Sequence, residues 1–460
     1  MKIVVLSGSP KGKKSITLKY VEYLMKKFPA VEFSVHHVSQ KIKKIEKDEA
    51  TFQTIIDDVR SADGIIWVFP VYVYLVPSAY KRFVELISER GFSEAFAGKY
   101  AAVISTSIHF FDNVAHNYLH AVIDDLNMHY VNYYSAAMDD LLDENHRAQL
   151  ESFMSVFLSA IEKQIPTVKA FLPVRTLNFT YEPSAQKHSV DLKGKKLLLI
   201  TDAAQESNLQ RMQDRFLGLL KGGEVEVLCL HDIKMLGGCL GCCKCAFDNI
   251  CAYGDKDDIK EIYEQKIPRT DIIIYAATIV DRFFSATWKC FFERRFMKTH
   301  QPLLTGKQIG ALVSGPLNDV GNLRMFLEAE AQVGEANLAG IVCDEVADSM
   351  RLDDLIDQFA ENLVALSDRQ YVANRTYIGV GGTKIFRDEI WGKLRFVFQA
   401  DHRYFKSHGV YDFPQKDYKA RIRNFFMMRL LSIGKIREKT RNDLVNIMVE
   451  PYQKLIDEMK

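Results

Sequence analysis

Lys2-Ile3-Val4-Val5-Leu6-Ser7-Gly8-Ser9-Pro10-Lys11-Gly12-Lys13-Lys14-Ser15-Ile16-Thr17 opens the chain and sets its fold. Residues 2–6 are a short apolar β-run, and beyond Thr17 the residues Leu18, Val21, Leu24 and Met25 recur at helical spacing. Small, hydroxyl-bearing and basic residues at a turn from strand into helix make a phosphate cradle. Their hydroxyls and backbone N–H groups face an anion, and the helix N-terminus adds partial positive charge. The same residues also read as a loop that merely caps a helix.

Working outward, strands near 31–38, 64–69, 100–105 and 130–136 alternate with helical segments up to about residue 161. Five βα units of this kind predict an α/β domain with a parallel sheet covered by helices on both faces. Ligands of such sheets sit beyond the C-terminal ends of the strands. The loops gathered there are residues 7–17, Pro70-Val71-Tyr72 and Thr106-Ser107-Ile108-His109.

After a polar stretch near 174–193 the pattern restarts at Lys196-Leu197-Leu198-Leu199-Ile200. An offset of 208 carries Asp63 to Asp271, Lys81 to Lys289, Gly98-Lys99 to Gly306-Lys307 and Leu119 to Leu327. This register predicts a tandem duplication of one α/β domain. The halves diverge. The second has Thr201-Asp202-Ala203-Ala204-Gln205-Glu206-Ser207-Asn208 at its first loop, without glycine and with two carboxylates where a phosphate would sit.

The second half instead carries cysteines. All eight lie between Cys229 and Cys343, five of them within Cys239–Cys251, where Cys239, Cys242, Cys245 and Cys251 read C-x2-C-x2-C-x5-C. This compact spacing suits an iron–sulfur cubane, with these four as ligands. Zinc sites usually split their ligands into two separated pairs, and adjacent cysteines such as Cys242 and Cys243 bridge poorly in disulfides. A metal-free loop is the remaining alternative.

At 460 residues the chain suggests two or three domains, and 48% hydrophobic with 26% charged residues is a soluble globular composition. A net charge of +1 gives no bias toward nucleic acid or membrane. Met1-Lys2 leads straight into a strand, so no signal peptide is expected, and the cysteine usage suggests a reducing cytoplasm. The uncharged run Gly64–Tyr80 contains Pro70 and Pro77 and is shorter than a membrane span. The expected organisation is 1–173, a linker over 174–194, 195–369, and a basic, aromatic-rich helical extension over 370–460. That extension holds about eight more basic than acidic side chains and includes Tyr411-Asp412-Phe413-Pro414. Its glycine-rich Ile378–Lys384 lacks a strand–turn–helix context and reads as a turn.

Gly8-Ser9-Pro10-Lys11, Ser15-Ile16-Thr17, Pro70-Val71-Tyr72 and Lys81-Arg82-Phe83 together resemble the NAD(P)H-dependent FMN reductases. Cys239–Cys251 followed by Asp257-Asp258 resembles their iron–sulfur flavoprotein branch. The resemblance implies two flavodoxin-like sheets of strand order 2-1-3-4-5. It also implies FMN held by Ser9, Lys11, Ser15 and Thr17 at the phosphate and by Pro70, Val71, Tyr72, Thr106 and Ser107 at the ring; His109, in the loop after the fourth strand, is a further candidate for contact with the ring. It implies a [4Fe-4S] cluster on Cys239, Cys242, Cys245 and Cys251, with NAD(P)H or reduced ferredoxin as electron donor. Ile16 stands where the family usually has Asn, and family members normally keep cluster and flavin loops on one repeat that dimerises. The chain is therefore expected to be a built-in dimer with one FMN and one cluster, exchanging electrons with a small redox substrate or a ferredoxin-like carrier. A flavin or quinone reductase whose cysteine loop holds no cluster, and a non-catalytic redox sensor or scaffold, are the alternatives.

Overall fold

The computed structural model describes residues 1–186, 188–412 and 418–459. Phe413 and Pro414 of the aromatic segment lie outside the described residues.

The first sheet comprises β1 (Lys2–Ser7), β2 (Glu32–His36), β3 (Gly64–Pro70), β4 (Tyr100–Ser107) and β5 (His129–Ala137). All neighbours are parallel and the order is β2-β1-β3-β4-β5. β3 is buried along its whole length, which explains its unbroken apolar sequence, since helices cover both faces of a parallel sheet. On one face α1 (Ile16–Lys27) and α5 (Glu144–Glu162) bury Leu18, Val21, Leu150, Phe153 and Phe157 against Ile3, Val5, Ile66 and Val68. On the other lie α2 (Glu49–Arg60), α3 (Ser78–Glu89) and α4 (Asp112–Asp125). Tyr80 of α3 donates to the Leu6 carbonyl at 2.6 Å.

The second sheet repeats the plan with β6 (Lys196–Thr201), β7 (Glu224–Cys229), β8 (Ile272–Val280), β9 (Gln308–Ser314) and β10 (Asn337–Cys343). Its order is β7-β6-β8-β9-β10, the same 2-1-3-4-5 path, with Phe283–Phe284 folded back antiparallel on the end of β8. The offset of 208 that relates the sequences also carries the first residues of β3 and β4, Gly64 and Tyr100, to those of β8 and β9, Ile272 and Gln308. Its helices are α6 (Asn208–Leu219), α7 (Ala286–Arg294), α8 (Gly321–Val333) and α9 (Ser349–Asp368), with Met212, Phe216, Ile356, Phe359 and Leu363 in the core. The stretch between the sheets is not a free tether. Tyr181 is fully buried and its hydroxyl donates to Asp353.

The glycine-rich stretch expected as a turn is helical, within α10 (Tyr377–Trp391). A Cβ at Gly382 would lie 2.9 Å from the Phe110 ring, and one at Gly379 would lie 2.9 Å from Gln332 Cβ. The glycines thus let α10 approach α8 and the end of β4 closely, a packing role that outweighs their low helix propensity.

The chain divides into two compact units, Met1–Tyr404 and Phe405–Lys460. The second contains α11 (Tyr418–Leu430) and α12 (Gly434–Asp457), neither with a buried residue. Among the described residues no helix is long and apolar enough to cross a membrane.

Candidate functional site

At the end of β1 the chain turns through Gly12–Lys14 before α1 begins. Gly12 has φ +53°, and a Cβ there would lie 2.2 Å from Gln40 Oε1. Ser15 caps α1 by accepting from the Leu18 N–H, and the Ser9 hydroxyl accepts from the Lys11 N–H at 3.3 Å. Ser9, Ser15 and Thr17 are all nearly sealed from bulk solvent. The opening N–H groups of a helix have no intrahelical acceptor, so hydroxyls and amides converge here, and Lys11 lines the same cavity. Gly8 admits this turn: a Cβ would lie 2.6 Å from the Tyr80 ring. Thr17 Oγ1 lies 2.5 Å from Thr106 Oγ1, tying the first loop to the loop after β4.

The loop after β3 is held by the Val71 N–H on the Thr106 carbonyl at 3.0 Å and the Tyr72 N–H on the Leu75 carbonyl at 3.0 Å. Val73 and Tyr74 occupy the left-handed region, at φ +47° and +68°. The bend brings Tyr72 against the second half of the chain. Burial, then the nearby Cys239 and Glu293, push its phenol well above the usual range.

These loops line one cavity of about 440 Å³, a volume suited to a cofactor. Ser9, Lys11, Ser15, Thr17, Pro70, Val71, Tyr72, Thr106 and Ser107 all face it. His109 is not among the lining residues. It is half exposed and paired with Asp112 at 3.0 Å, a contact that raises its pKa. An aromatic wall of Phe110, Phe296, Phe386 and Phe398 and the glycine Gly241 were not singled out as site residues in the sequence, whereas Cys239 and Cys243, which also line the cavity, belong to the cysteine motif.

The cysteine loop therefore borders the first-half cavity. Gly241, at φ +61°, is where the two halves meet, for a Cβ there would lie 1.8 Å from Tyr72 Oη and 3.0 Å from Lys11 Cε. Behind it Cys239, Cys242, Cys243, Cys245 and Cys251 enclose a second space of about 20 Å³ with Glu293 and Arg294. All the cysteines are free. Burial, then the Glu293 carboxylate, drives the Cys239 thiol far up, and burial, then the neighbouring cysteines, pushes the Cys245 thiol to about 12. The Gly241 N–H donates to Cys239 Sγ at 3.4 Å, and Arg294 Nη2 lies 3.9 Å from Cys251 Sγ. Arg294 is itself paired with buried Asp257 at 2.7 and 3.0 Å and lies 4.0 Å above the Tyr253 ring. Among the described residues no group of three or more His, Cys, Asp or Glu is arranged to hold a metal ion.

The corresponding edge of the second sheet is built differently. An open cavity of about 780 Å³ is lined there by Arg175, Asn208, Thr278, Ser314, Gly315 and Asp344, among others. Asp344 accepts from Ser314 Oγ at 2.7 Å, the Gly315 N–H at 2.9 Å and Asn208 Nδ2 at 3.0 Å. Ser314 and Gly315 are the counterparts of Thr106 and Ser107, so a carboxylate of the chain already occupies these donors. The segment between the sheets closes over them, with the Phe179 carbonyl on Asn208 and Arg175 paired to Asp319 and Glu345. Asp202, expected at the mouth, accepts from Ser285 Oγ at 2.9 Å, and burial raises its pKa.

Helices α3 and α7 join the halves through matched pairs of contacts. Lys81 Nζ lies 3.1 Å from Glu85 and donates to the Val280 carbonyl at 3.3 Å, and Lys289 Nζ lies 3.0 Å from Glu293 and donates to the Tyr72 carbonyl at 2.7 Å. Glu85 accepts from the Ala286 N–H at 2.6 Å, and Glu293 from the Ser78 N–H at 3.1 Å. Each residue and its counterpart differ by the same 208 positions, so the interface is self-complementary, as in a symmetric dimer.

Residues 1–141, under a third of the chain, match the family model described as NADPH-dependent FMN reductase. Among solved structures, a flavoenzyme NAD(P)H:(acceptor) oxidoreductase from Paracoccus denitrificans is 22% identical, with TM-score 0.30, over 35% of this chain and 97% of its own. An NADH:FMN oxidoreductase in its apo form is 23% identical, with TM-score 0.30, over 34% of this chain and 89% of its own. The general stress protein 14 of Treponema denticola, in complex with FMN, is 16% identical, with TM-score 0.26, over 35% and 98%. No curated protein matches the chain.

Proposed function

We propose that this chain is an FMN-dependent NAD(P)H oxidoreductase with a [4Fe-4S] cluster beside its flavin, connecting two-electron donors or substrates to a one-electron, ferredoxin-like carrier. The observation that carries this reading is the shared cavity, with Lys11 and Tyr72 of the first half and Cys239 and Cys243 of the second in one lining. Residues 1–141 supply the family match, and nine of the ten residues expected to contact the cofactor, all but His109, line this cavity.

FMN fits the donor set. Ser9, Lys11, Ser15 and Thr17 offer hydroxyls, an ammonium and a helix N-terminus to a phosphate. Pro70, Val71, Tyr72, Thr106 and Ser107 would border the ring. FMN when bound supplies exchange between hydride and single electrons. Cys239, Cys242, Cys245 and Cys251 would hold the cluster, because their side chains surround one space and are partly shielded by Glu293 and Arg294. A cubane distributes its thiolates over separate iron atoms and so needs a wider arrangement than a single ion does. The protein's own tasks are to hold the phosphate, exclude water with the aromatic wall and keep the two sites adjacent. With Asp344 seated on the equivalent donors of the second half, one FMN per chain is expected.

A second reading keeps the flavin chemistry, as an FMN or quinone reductase, and leaves the cysteine loop without a cluster; the lack of a metal-holding group among the described residues favours it. Anaerobic purification separates the two. The cluster reading expects flavin together with about four iron per chain and broad absorbance near about 400 nm. Yellow protein without iron leaves the second reading, and colourless, iron-free protein removes both.

A further inference from the structure

His300 belongs to no motif, yet it lines the same cavity. It follows α7 and packs among Phe296, Phe386 and Phe398, with its ring centroid 3.8 Å from that of Phe386 and 4.9 Å from that of Phe398. Its Nδ1 lies 2.7 Å from Oδ2 of Asp401, in the helix Gln399–Ser407. Asp401 is fully buried and also accepts from the His300 N–H at 3.2 Å and from the Thr299 hydroxyl. The ring nitrogen, the His300 N–H and the Thr299 hydroxyl converge on this carboxyl group, an arrangement that suits Nδ1–H donating to it.

That contact fixes the ring. With Nδ1–H donating to Asp401, neutral His300 carries its lone pair on Nε2. Nε2 has no hydrogen-bond partner among the described residues, although the residue faces the cavity. An unmatched acceptor within an aromatic wall selects for a flat ring that offers a hydrogen.

We propose that His300 Nε2 is the hydrogen-accepting group of this cavity for an aromatic hydroxyl on a flat, apolar ligand, with Asp401 as its positioning residue. The proposal rests on the flavin reading of the cavity and names the ligand class of that site. The aromatic wall contributes stacking to any flat ring. The dyad discriminates by the hydroxyl hydrogen alone.

The test is calorimetric titration of the purified full-length protein, with whatever cofactors it retains, using 2-naphthol and 2-methoxynaphthalene. The two share a ring system, and only naphthol can donate. The native protein is expected to prefer naphthol by about tenfold, the scale of one good hydrogen bond. His300→Phe should bring the two affinities within about twofold, and His300→Gln, whose carbonyl can accept, should restore most of the preference. Asp401→Asn tests the positioning separately: its amide can donate to Nδ1, moving the ring hydrogen to Nε2 and erasing the preference even if the Phe variant does not fold. A role in packing alone would change both affinities together. A native protein without preference, or a Phe variant that keeps it, overturns the proposal. Flavin absorbance of the same samples tests the flavin reading on its own, since a flavin-free protein would refute that reading and leave the naphthol comparison standing.

Discussion

Lys289 of α7 donates to the Tyr72 carbonyl at 2.7 Å, so a lysine of one half holds the cavity loop of the other. Its side chain is wholly buried and paired with Glu293, whose carboxylate also receives the Ser78 and Cys239 N–H groups. Removing one partner of such a pair leaves an uncompensated buried charge, at a typical cost of about 3–5 kcal/mol. Lys289→Met is therefore expected to lower stability by about that amount in urea unfolding. A loss under about 1 kcal/mol would mean that Glu293 is satisfied without it.

Gly241 gives a sharper test of the contact between halves. Alanine there carries the strain of φ +61° and places a methyl 1.8 Å from Tyr72 Oη. Gly241→Ala should cut FMN affinity at least about tenfold by displacing Tyr72 or unfolding the cysteine loop. In a Tyr72→Ala background the same substitution should cost about 1 kcal/mol, from backbone strain and a small shift of the flexible Lys11 side chain 3.0 Å away. Equal costs in both backgrounds would deny the coupling.

The two sheets were legible because buried parallel strands write themselves as apolar runs, as Ile65 to Phe69 and Leu197 to Ile200 do. The first-half loops stood out because small, hydroxyl-bearing and basic residues between a strand and a helix form a recognisable pattern, and the fold brings them to one cavity. Relationships across the halves were not legible. Lys81 and Lys289 share an offset in sequence, but nothing in it says that each reaches the other's loop, because the partner carbonyls lie about 200 residues away. Gly241 was overlooked because a glycine beside cysteines looks like loop filler until Tyr72 is set against it. The Ile378–Lys384 stretch misled because local propensity favours a turn, whereas contacts with Phe110 and Val333 decide for a helix. His300 and Asp401 had no sequence signal at all, being 101 residues apart.

The phosphate assignment turns on Ser15. Ser15→Asp would place a carboxylate at the start of α1, where the cradle otherwise offers hydroxyls to an anion. As an N-cap, Asp substitutes well for Ser, so stability should change by less than about 1 kcal/mol. Flavin binding should be abolished by charge repulsion, read as loss of flavin absorbance after desalting. A variant that stays yellow would refute the assignment.

Asp281 makes the interface sensitive to pH. Burial raises its carboxyl to about 6, against the pull of Lys81 at 2.8 Å. A carboxyl whose folded pKa lies above its unfolded value stabilises the fold below about pH 4 and loses that contribution as pH rises through about 6. With 17% of the side chain still exposed, about 3 kcal/mol is the upper bound for that loss. Asp281→Asn removes the titration. Native stability relative to the variant should fall by about 2–3 kcal/mol between about pH 4 and pH 7 in urea unfolding. A difference that stays flat over this range would contradict the raised pKa.

Asp257 anchors the cysteine loop through Arg294, which faces Cys251 on its other side. Both partners of this ion pair are almost fully buried, and the Leu236 N–H also donates to Asp257 at 3.2 Å. Asp257→Asn keeps the shape but removes the charge that holds the guanidinium beneath the loop, leaving Arg294 uncompensated at a cost of about 3 kcal/mol or more. If the loop carries a cluster, anaerobically purified Asp257→Asn should retain its flavin, since the residues proposed to hold its phosphate and ring lie in the first half, while losing most of its iron. Asp255→Asn, at an exposed aspartate paired with Lys260, should keep both. Iron and flavin lost together would instead show that the loop and the cavity fold as one cooperative unit. Iron retained in full by Asp257→Asn would show that the cysteines hold it without the arginine's help.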